Sequence, residues 1–283
     1  MTTEKLGTVK LATQVLRYVW THPANRDARL RGVGRAVAFQ VRGRLGRPTY
    51  ATLGRRSRML AELHHTAAAK VVYANPPDWP EMLAWRRILR PGDLFVDVGA
   101  NVGAYALWAA ELDADVIAVE PDPGAVLRLR CNAGMNDYPV EILECALADR
   151  AGEMALTAGL DVTNHLVLGV AHGATRRVEV RTLDEVLGER RAAGMKVDVE
   201  GAERLVLDGG SRALAERRVG VIQLEWNDLC RTVLHETREP IVRLLAGFGY
   251  GFRRPDGYGR LIEADPSGYG TDLFAVAVGA MST

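Results

Sequence analysis

Two patterns of apolar positions divide the chain. Residues 8–20, TVKLATQVLRYVW, place Val9, Leu11, Val15, Leu16 and Val19 near helical spacing, and residues 54–73, GRRSRMLAELHHTAAAKVVY, do so more weakly; both predict helices. Between them RLRGVGRAVAFQVRGRLGRPTY is too rich in Gly and Arg to assign and holds no repeat. YANPPDWPEMLAWRRILRPGD then supplies proline punctuation, an amphipathic helix from about Pro80 to Leu89, and a turn at Pro91-Gly92-Asp93.

From Leu94 onward short apolar runs replace the helical pattern: LFVDVG, DVIAVEP, VEILECAL, MKVDVEG, VGVIQLEW and DLFAVAV. AYALWAAEL, PGAVLRLRCN, ERLVLDGGSRALAERR and REPIVRLLAGF lie between them as candidate helices. This alternation predicts an α/β fold with a mostly parallel sheet wound by crossover helices. Strands covered on both faces read as near-continuous apolar runs, which is why clean alternation is missing. Two further pieces, EMALTAG and RRVEVRTLDEVL, interrupt the series.

Composition refines this picture. With 283 residues, 48% hydrophobic and 25% charged, the chain suits one large α/β domain with an appendage. The net charge of +1 conceals an asymmetry: 14 of 36 basic but only 3 of 35 acidic residues fall in residues 1–70, giving that stretch +11 and the remainder −10. Such an arm suits nucleic acid, an anionic lipid surface, an acidic substrate, or simply a solvated Arg-rich helix face. Three cysteines, Cys131, Cys145 and Cys230, without paired spacing point to reduced thiols and a cytoplasmic protein. No run is long enough for a membrane span, and the first residues lack the apolar segment of a signal peptide.

Ligands of open parallel sheets sit beyond the carboxyl ends of the strands. The first strand runs into VDVGANVGAY, where Gly99 and Gly103 permit a tight turn and close approach of a ligand to the backbone. A dinucleotide fingerprint would need glycine at 101 and 104, which here are Asn101 and Ala104, and no G-K-[ST] follows for a P-loop. The second strand ends at Glu120, about twenty residues on, the distance at which an acid reaches a nucleotide ribose. The third ends in ECALAD, where Cys145, Ala146 and Leu147 offer small or apolar surface for an adenine edge.

The glycine turn, the acid at the second strand and the closing DLFAVAV strand resemble a class I S-adenosylmethionine-dependent methyltransferase over residues 80–280. DLFVDVGANVGAYAL, VIAVEPDPGAVLRLRCN, CALADRAGEMAL, VRTLDEVL and KVDVEGAERLVLDGG resemble, in order and spacing, the FkbM family. The resemblance implies a Rossmann-like sheet of seven strands with the last antiparallel, and S-adenosyl-L-methionine as methyl donor. It implies that Asp97, Gly99, Asn101 and Gly103 surround the methionine part, Glu120 the ribose, and Ala146 and Leu147 the adenine. Residues 1–79 are then expected as a basic helical cap and residues 80–283 as the methyltransferase domain. The implied reaction is O-methylation of a hydroxyl on a sugar or other secondary-metabolite acceptor, a small molecule that is glycosylated or anionic.

A methyl transfer is an in-line displacement, so a side chain must orient the acceptor and take its proton. Asp198 and Glu200, expected to alternate along the fourth strand, would face the cleft together. Glu203 is expected at the amino end of the following helix, where its charge meets the dipole. Glu225, Trp226 and Asn227 would share the rim. Oxygen ligands there suit a hard divalent cation, but a metal is not favoured, since no aspartate pair is present and Glu225 would serve beneath the cofactor. His165, in the insertion, and His235, beyond the fifth strand, are further candidate bases; His22, His64, His65 and His172 are weaker. NPPDW at 75–79 has the look of the motif with which amino-methylating enzymes hold a flipped base, but its fourth residue is Asp78 and it precedes the glycine turn. RNA methylation rests on the basic arm alone, where aromatics are scarce, and a non-catalytic cofactor-binding scaffold leaves Asp198 and Glu200 unexplained.

Overall fold

The computed structural model describes residues 13–63, 66–157, 166–167, 174–268 and 272–279. The chain divides into two compact units, Met1–Trp79 and Pro80–Thr283. In the first, residues 13–21 are helical (α1), and a 3-10 turn, Pro23–Asn25, leads to α2 (Arg29–Arg44). An antiparallel hairpin follows, β1 (Thr49–Leu53) with β2 (Ser57–Ala61), and then α3 (Thr66–Tyr73).

This unit fills in one unassigned stretch and corrects one expected helix. The Gly- and Arg-rich stretch forms a helix of 16 residues. Its periodicity is hidden because apolar residues lie on opposite sides: Gly32, Ala36 and Phe39 are buried while Leu30, Val37 and Val41 are exposed. The first half of GRRSRMLAELHHTAAAKVVY is turn and strand, with Ser57, Met59 and Ala61 buried in period two; the unit therefore mixes helices with a hairpin. Asn25 secures it by donating to Val19 O (2.9 Å) and Tyr73 O (2.8 Å). NPPDW has a structural task here: Asn75 bonds both N and O of Gly54 at the hairpin turn (2.7 and 2.8 Å), and Pro77 O accepts from the Tyr18 hydroxyl (2.8 Å) and the His22 ring (2.9 Å).

The second unit opens with α4 (Trp79–Ile88), whose first residue closes the preceding unit, and β3 (Leu94–Val98). In chain order follow α5 (Ala104–Glu111), β4 (Asp115–Val119), α6 (Pro123–Met135), β5 (Val140–Leu143), β6 (Ala146–Leu147), β7 (Gly152–Thr157), β8 (Leu166–Val167), β9 (Thr175–Arg181) and α7 (Leu183–Leu187). Then come β10 (Ala192–Val197), α8 (Glu203–Asp208), α9 (Ser211–Ala215), β11 (Val219–Leu224), α10 (Cys230–Val233), α11 (Glu239–Gly247), β12 (Tyr250–Pro255), β13 (Leu261–Glu263) and β14 (Leu273–Ala277).

The main sheet has the order β13-β12-β14-β11-β10-β3-β4-β5. Strands β5, β4, β3, β10 and β11 are parallel, and β14 is antiparallel to both β11 and β12. The expected Rossmann-like sheet with an antiparallel last strand is thus present, but β13 adds an eighth strand at the edge instead of stopping at seven. VEILECAL, expected as one strand, divides into β5 and β6, and β6 joins a second sheet, β6-β9-β7-β8, to which the two interrupting pieces contribute β7 and β9. ERLVLDGGSRALAERR divides into α8 and α9 at Gly209-Gly210, where a Cβ would lie 2.1 Å from Ala148 O and 2.5 Å from a Leu183 methyl.

Local signals explain the rest. Asp122 caps α6 through Ala125 N with Pro123 in the first turn, and Thr182 and Glu185 form a capping box on α7. The core runs from Val96 and Val98 through Ile117, Met195, Val197, Ile222 and Leu224 to Leu273. Among the described residues no helix is long and apolar enough to cross a membrane.

Candidate active site

Strand β3 delivers the chain into the glycine turn, and each sharp feature has a cause. Gly99 adopts φ 79°, and a Cβ there would sit 1.9 Å from the backbone oxygen of Asp198; only glycine lets the two strand ends approach this closely. Gly99 N and Ala100 N both donate to Val119 O (2.9 and 3.0 Å), which binds the turn to the end of β4. Asn101, at φ 49°, donates its N–H to Glu120 Oε2 (2.8 Å), while Asp122 N donates to Oε1 (2.9 Å). Asn132, buried on α6, donates to Val102 O (2.8 Å) and supports the turn from beneath.

Glu120 is therefore held by its neighbours' amides and keeps further lone pairs for donors from a ligand. Burial pushes its carboxyl up to about 7, against the lowering effect of those two amides. Asp97 accepts from Ala106 N through Oδ2 (2.9 Å), whereas its Oδ1 is buried without a partner among the described residues. Burial also raises Asp97, to about 6, opposed by the Lys196 charge.

A second feature crosses three strands. Asp97 on β3, Lys196 on β10 and Gln223 on β11 stand in register, side by side on the sheet. Lys196 Nζ donates to Asp198 Oδ2 (2.7 Å) and lies 4.7 Å from the Tyr105 ring centroid. Burial alone would lower its pKa, but Asp198, Asp97 and Asp272 outweigh that and hold the ammonium above the usual lysine range. Gln223, fully buried, accepts from Trp85 Nε1 and donates to the Tyr105 hydroxyl (3.1 Å) and Asp272 Oδ2 (2.6 Å). Lys196, a cation inside an apolar run, was open to pairing with a neighbouring acid, as it does with Asp198; the place of Gln223 in the row was not read from the sequence, and its departure from an otherwise apolar strand was the available signal.

The third feature corrects an expectation. β10 ends at Val197, so Asp198 and Glu200 do not alternate along a strand. They belong to a turn in which Glu200 has φ 53° and Gly201 φ 98°. That turn still gathers them: one oxygen each of Asp198, Glu200 and Glu225 lie within 4.8 Å of one another. Glu225 Oε2 is buried without a partner among the described residues. Burial, then the charges of Asp198, Glu200 and Glu203, push the Glu225 carboxyl up to about 9, with Lys196 opposing. Three hard oxygens suit a divalent cation, but a Glu225 that keeps its proton relieves the same repulsion without one.

What holds this turn was missed. Glu203, expected only to meet a helix dipole, is fully buried and paired with Arg238, itself 3% exposed. Glu203 Oε1 accepts from Gly201 N (3.0 Å). Arg238 also donates to Asn227 O (3.0 Å) and Asn227 Oδ1 (3.2 Å) and lies over Trp226, 5.3 Å from its ring centroid. One ion pair thus connects the turn after β10 to the loop after β11. Trp226 is packed at 1% exposure, its indole N–H donating to Pro266 O (2.8 Å).

Ala146 and Leu147 are buried in β6. His235 is exposed at φ 54°. His165, with His64, His65 and His172, lies outside the described residues.

Parallel strands in this order, a glycine turn after the first, an acid at the end of the second and carboxylates beyond the next two define the class I methyltransferase arrangement. Residues 97–253 match the family described as Methyltransferase FkbM domain, and the chain belongs to that family. Among curated proteins it is similar to "31-O-demethyl-FK506 methyltransferase FkbM" of Streptomyces tacrolimicus, 29% identical over 233 residues, covering 67% of this chain and 81% of that protein. Among solved structures it is similar to precorrin-6y C5,15-methyltransferase from Geobacter metallireducens GS-15, at 14% identity and TM-score 0.40, covering 69% of this chain and 87% of that one. It is also similar to magnesium protoporphyrin IX methyltransferase from Synechocystis PCC 6803 with bound SAM, at 15% identity and TM-score 0.41, covering 69% and 74%.

Proposed function

We propose that this methyltransferase transfers a methyl group from S-adenosyl-L-methionine to a hydroxyl of a small secondary-metabolite or sugar acceptor. The observation that carries the reading is the contact of Gly99 with the backbone of Asp198, which sets the donor turn against the acidic turn. Among the described residues Asp97, Asp198 and Glu200 outnumber the one cation set between them, Lys196, and the buried oxygen Asp97 Oδ1, which has no partner there, fits a positively charged ligand. When bound, the donor's sulfonium supplies an electrophilic methyl group.

The chain's residues divide the remaining work. Asp97, Gly99, Asn101 and Gly103 receive the amino-acid end of the donor, Glu120 accepts from its ribose hydroxyls, and Ala146 and Leu147 border its adenine. Asp198, held by Lys196, orients the acceptor hydroxyl and takes its proton, and Glu200 completes the acidic rim. The relative from Streptomyces tacrolimicus, a 31-O-demethyl-FK506 methyltransferase, supports oxygen as the methylated atom.

Calorimetric titration tests the donor: S-adenosylhomocysteine is expected to bind the wild type and to be lost in Glu120→Ala. Methyl transfer to hydroxylated secondary-metabolite and sugar acceptors tests the base: Asp198→Asn is expected to retain donor binding and to lose about 10²–10⁴ in turnover. Failure of the folded wild type to bind S-adenosylhomocysteine would remove the reading.

A further inference from the structure

The methyl-transfer reading draws only on Pro80–Thr283, and α2, in the other unit, carries an arrangement that reading does not use. This helix has two apolar faces. Ala36 and Phe39, each 2% exposed, pack with Gly32 on the inner one. On the opposite side Leu30, Val37, Val41 and, just past the helix end, Leu45 are exposed by 78, 52, 52 and 65%. Spacings of seven, four and four residues align them in one stripe. Exposed arginines line both edges, Arg31 and Arg42 along one and Arg29 and Arg44 along the other. From Ala28 to Ala61 the chain has nine arginines and no Asp or Glu.

Each half of this arrangement narrows the partner. A contiguous aliphatic stripe in water marks a surface built to be covered. The unbroken positive charge beside it calls for a partner dense in negative charge. Single-stranded nucleic acid satisfies the charge but stacks on aromatics, and the stripe is aliphatic. An anionic lipid surface satisfies both, because side chains of this kind enter the acyl boundary while flanking arginines reach the phosphates. Arg42 and Arg44 bond Pro48 O and Gln40, which still leaves guanidinium N–H groups for a phosphate.

We propose that α2 is an interfacial helix that docks this protein on an anionic lipid surface, with Leu30, Val37, Val41 and Leu45 inserted and Arg29, Arg31, Arg42 and Arg44 on the headgroups.

Flotation of the full chain with vesicles tests this. The wild type is expected to float with mixed phosphatidylcholine–phosphatidylglycerol vesicles and not with phosphatidylcholine alone, and to be released by salt. Val37→Asp with Val41→Asp is expected to lower the bound fraction by about tenfold or more, because charge replaces inserted methyl groups. Arg31→Gln with Arg42→Gln is expected to weaken binding by about fivefold per arginine and to erase the preference for phosphatidylglycerol. These side chains stand in solvent, so the thermal melt and S-adenosylhomocysteine binding should not change, which shows the variants folded. No flotation of the folded wild type at low salt, or flotation indifferent to the two aspartates, overturns the proposal. So does a wild-type dimer that the aspartates dissociate, which would assign the stripe to a second copy of this chain.

Discussion

The two halves of the candidate site are assembled differently. On the glycine-turn side, Glu120 is held by Asn101 N and Asp122 N, and the turn is tied to the next strand through Val119 O; apart from the Asn132 side chain on Val102 O, its partners are backbone groups on the adjoining strand ends. On the acidic side, the turn carrying Asp198 and Glu200 is held by side chains that arrive from far along the chain, above all Arg238 on Glu203. Backbone amides hold a carboxylate whatever residues supply them, whereas a buried ion pair fails when either partner is removed. The acidic side should therefore break under single substitutions that the glycine side resists, except at its glycines.

The largest effect is expected from Arg238→Met. Glu203, fully buried, would lose its cation, and breaking a buried pair from one side costs about 3–5 kcal/mol. Urea denaturation should report that loss. Arg238→Met combined with Glu203→Leu should recover much of it, because removing both charges relieves the desolvation cost. If the double variant stabilises the fold but methyl transfer stays low while S-adenosylhomocysteine still binds, the pair positions the acidic turn beyond holding the fold. Equal recovery of stability and activity would reduce it to a structural contact.

Gly99→Ala comes next and tests the exception. The alanine would need a left-handed backbone and would thrust its methyl at Asp198 O. Strain of this kind costs about 1–3 kcal/mol before any shift of β10. The same substitution at Gly92, also at positive φ but with no atom near a Cβ, should cost less. The difference between the two melts measures the close approach of the strand ends.

This contrast also explains what could be read from the sequence. The glycine turn, Glu120 at a strand end and the mostly parallel sheet follow from short-range patterns, apolar runs ending in Gly or acid, and were legible, whereas the antiparallel last strand came from the family resemblance. The acidic cluster was legible as residue types but not as geometry, because its convergence depends on the positive φ of Glu200 and Gly201 after a strand that stops at Val197. Arg238 was invisible, since nothing local distinguishes an arginine before a proline-started helix from a solvated one. The N-terminal hairpin and α2 were missed for a different reason: arginines and two-sided apolar positions erased the period that a one-sided element shows.

Lys196→Met should have an intermediate effect and separates the two sides. It removes the cation that lowers both Asp97 and Glu225, so both carboxyls should titrate higher than their present values of about 6 and about 9. The rise in turnover and donor affinity with pH that reflects an ionised Asp97 should move upward, while above that rise Glu120, still held by Asn101 N and Asp122 N, should keep donor affinity nearly constant. A fall in donor affinity as large as the fall in turnover would show that the two halves are not separable.

The smallest loss at neutral pH is expected from Glu225→Gln. The folded carboxyl is raised from 4.5 to about 9, so near neutrality it keeps its proton, and an uncharged amide of the same shape replaces it with little loss. The unfolded chain binds fewer protons than the folded one above 4.5, so this group's contribution to stability is fully present below the unfolded value and is lost as the pH rises through about 9. The variant has no proton to lose, and its unfolding free energy should decline less across that window. Urea melts of both proteins at neutral and alkaline pH would show the curves diverging if repulsion from Asp198 and Glu200 holds the proton on Glu225. Parallel curves would mean that the acidic turn relaxes when charged, and would make this side of the site as adaptable as the glycine side is fixed.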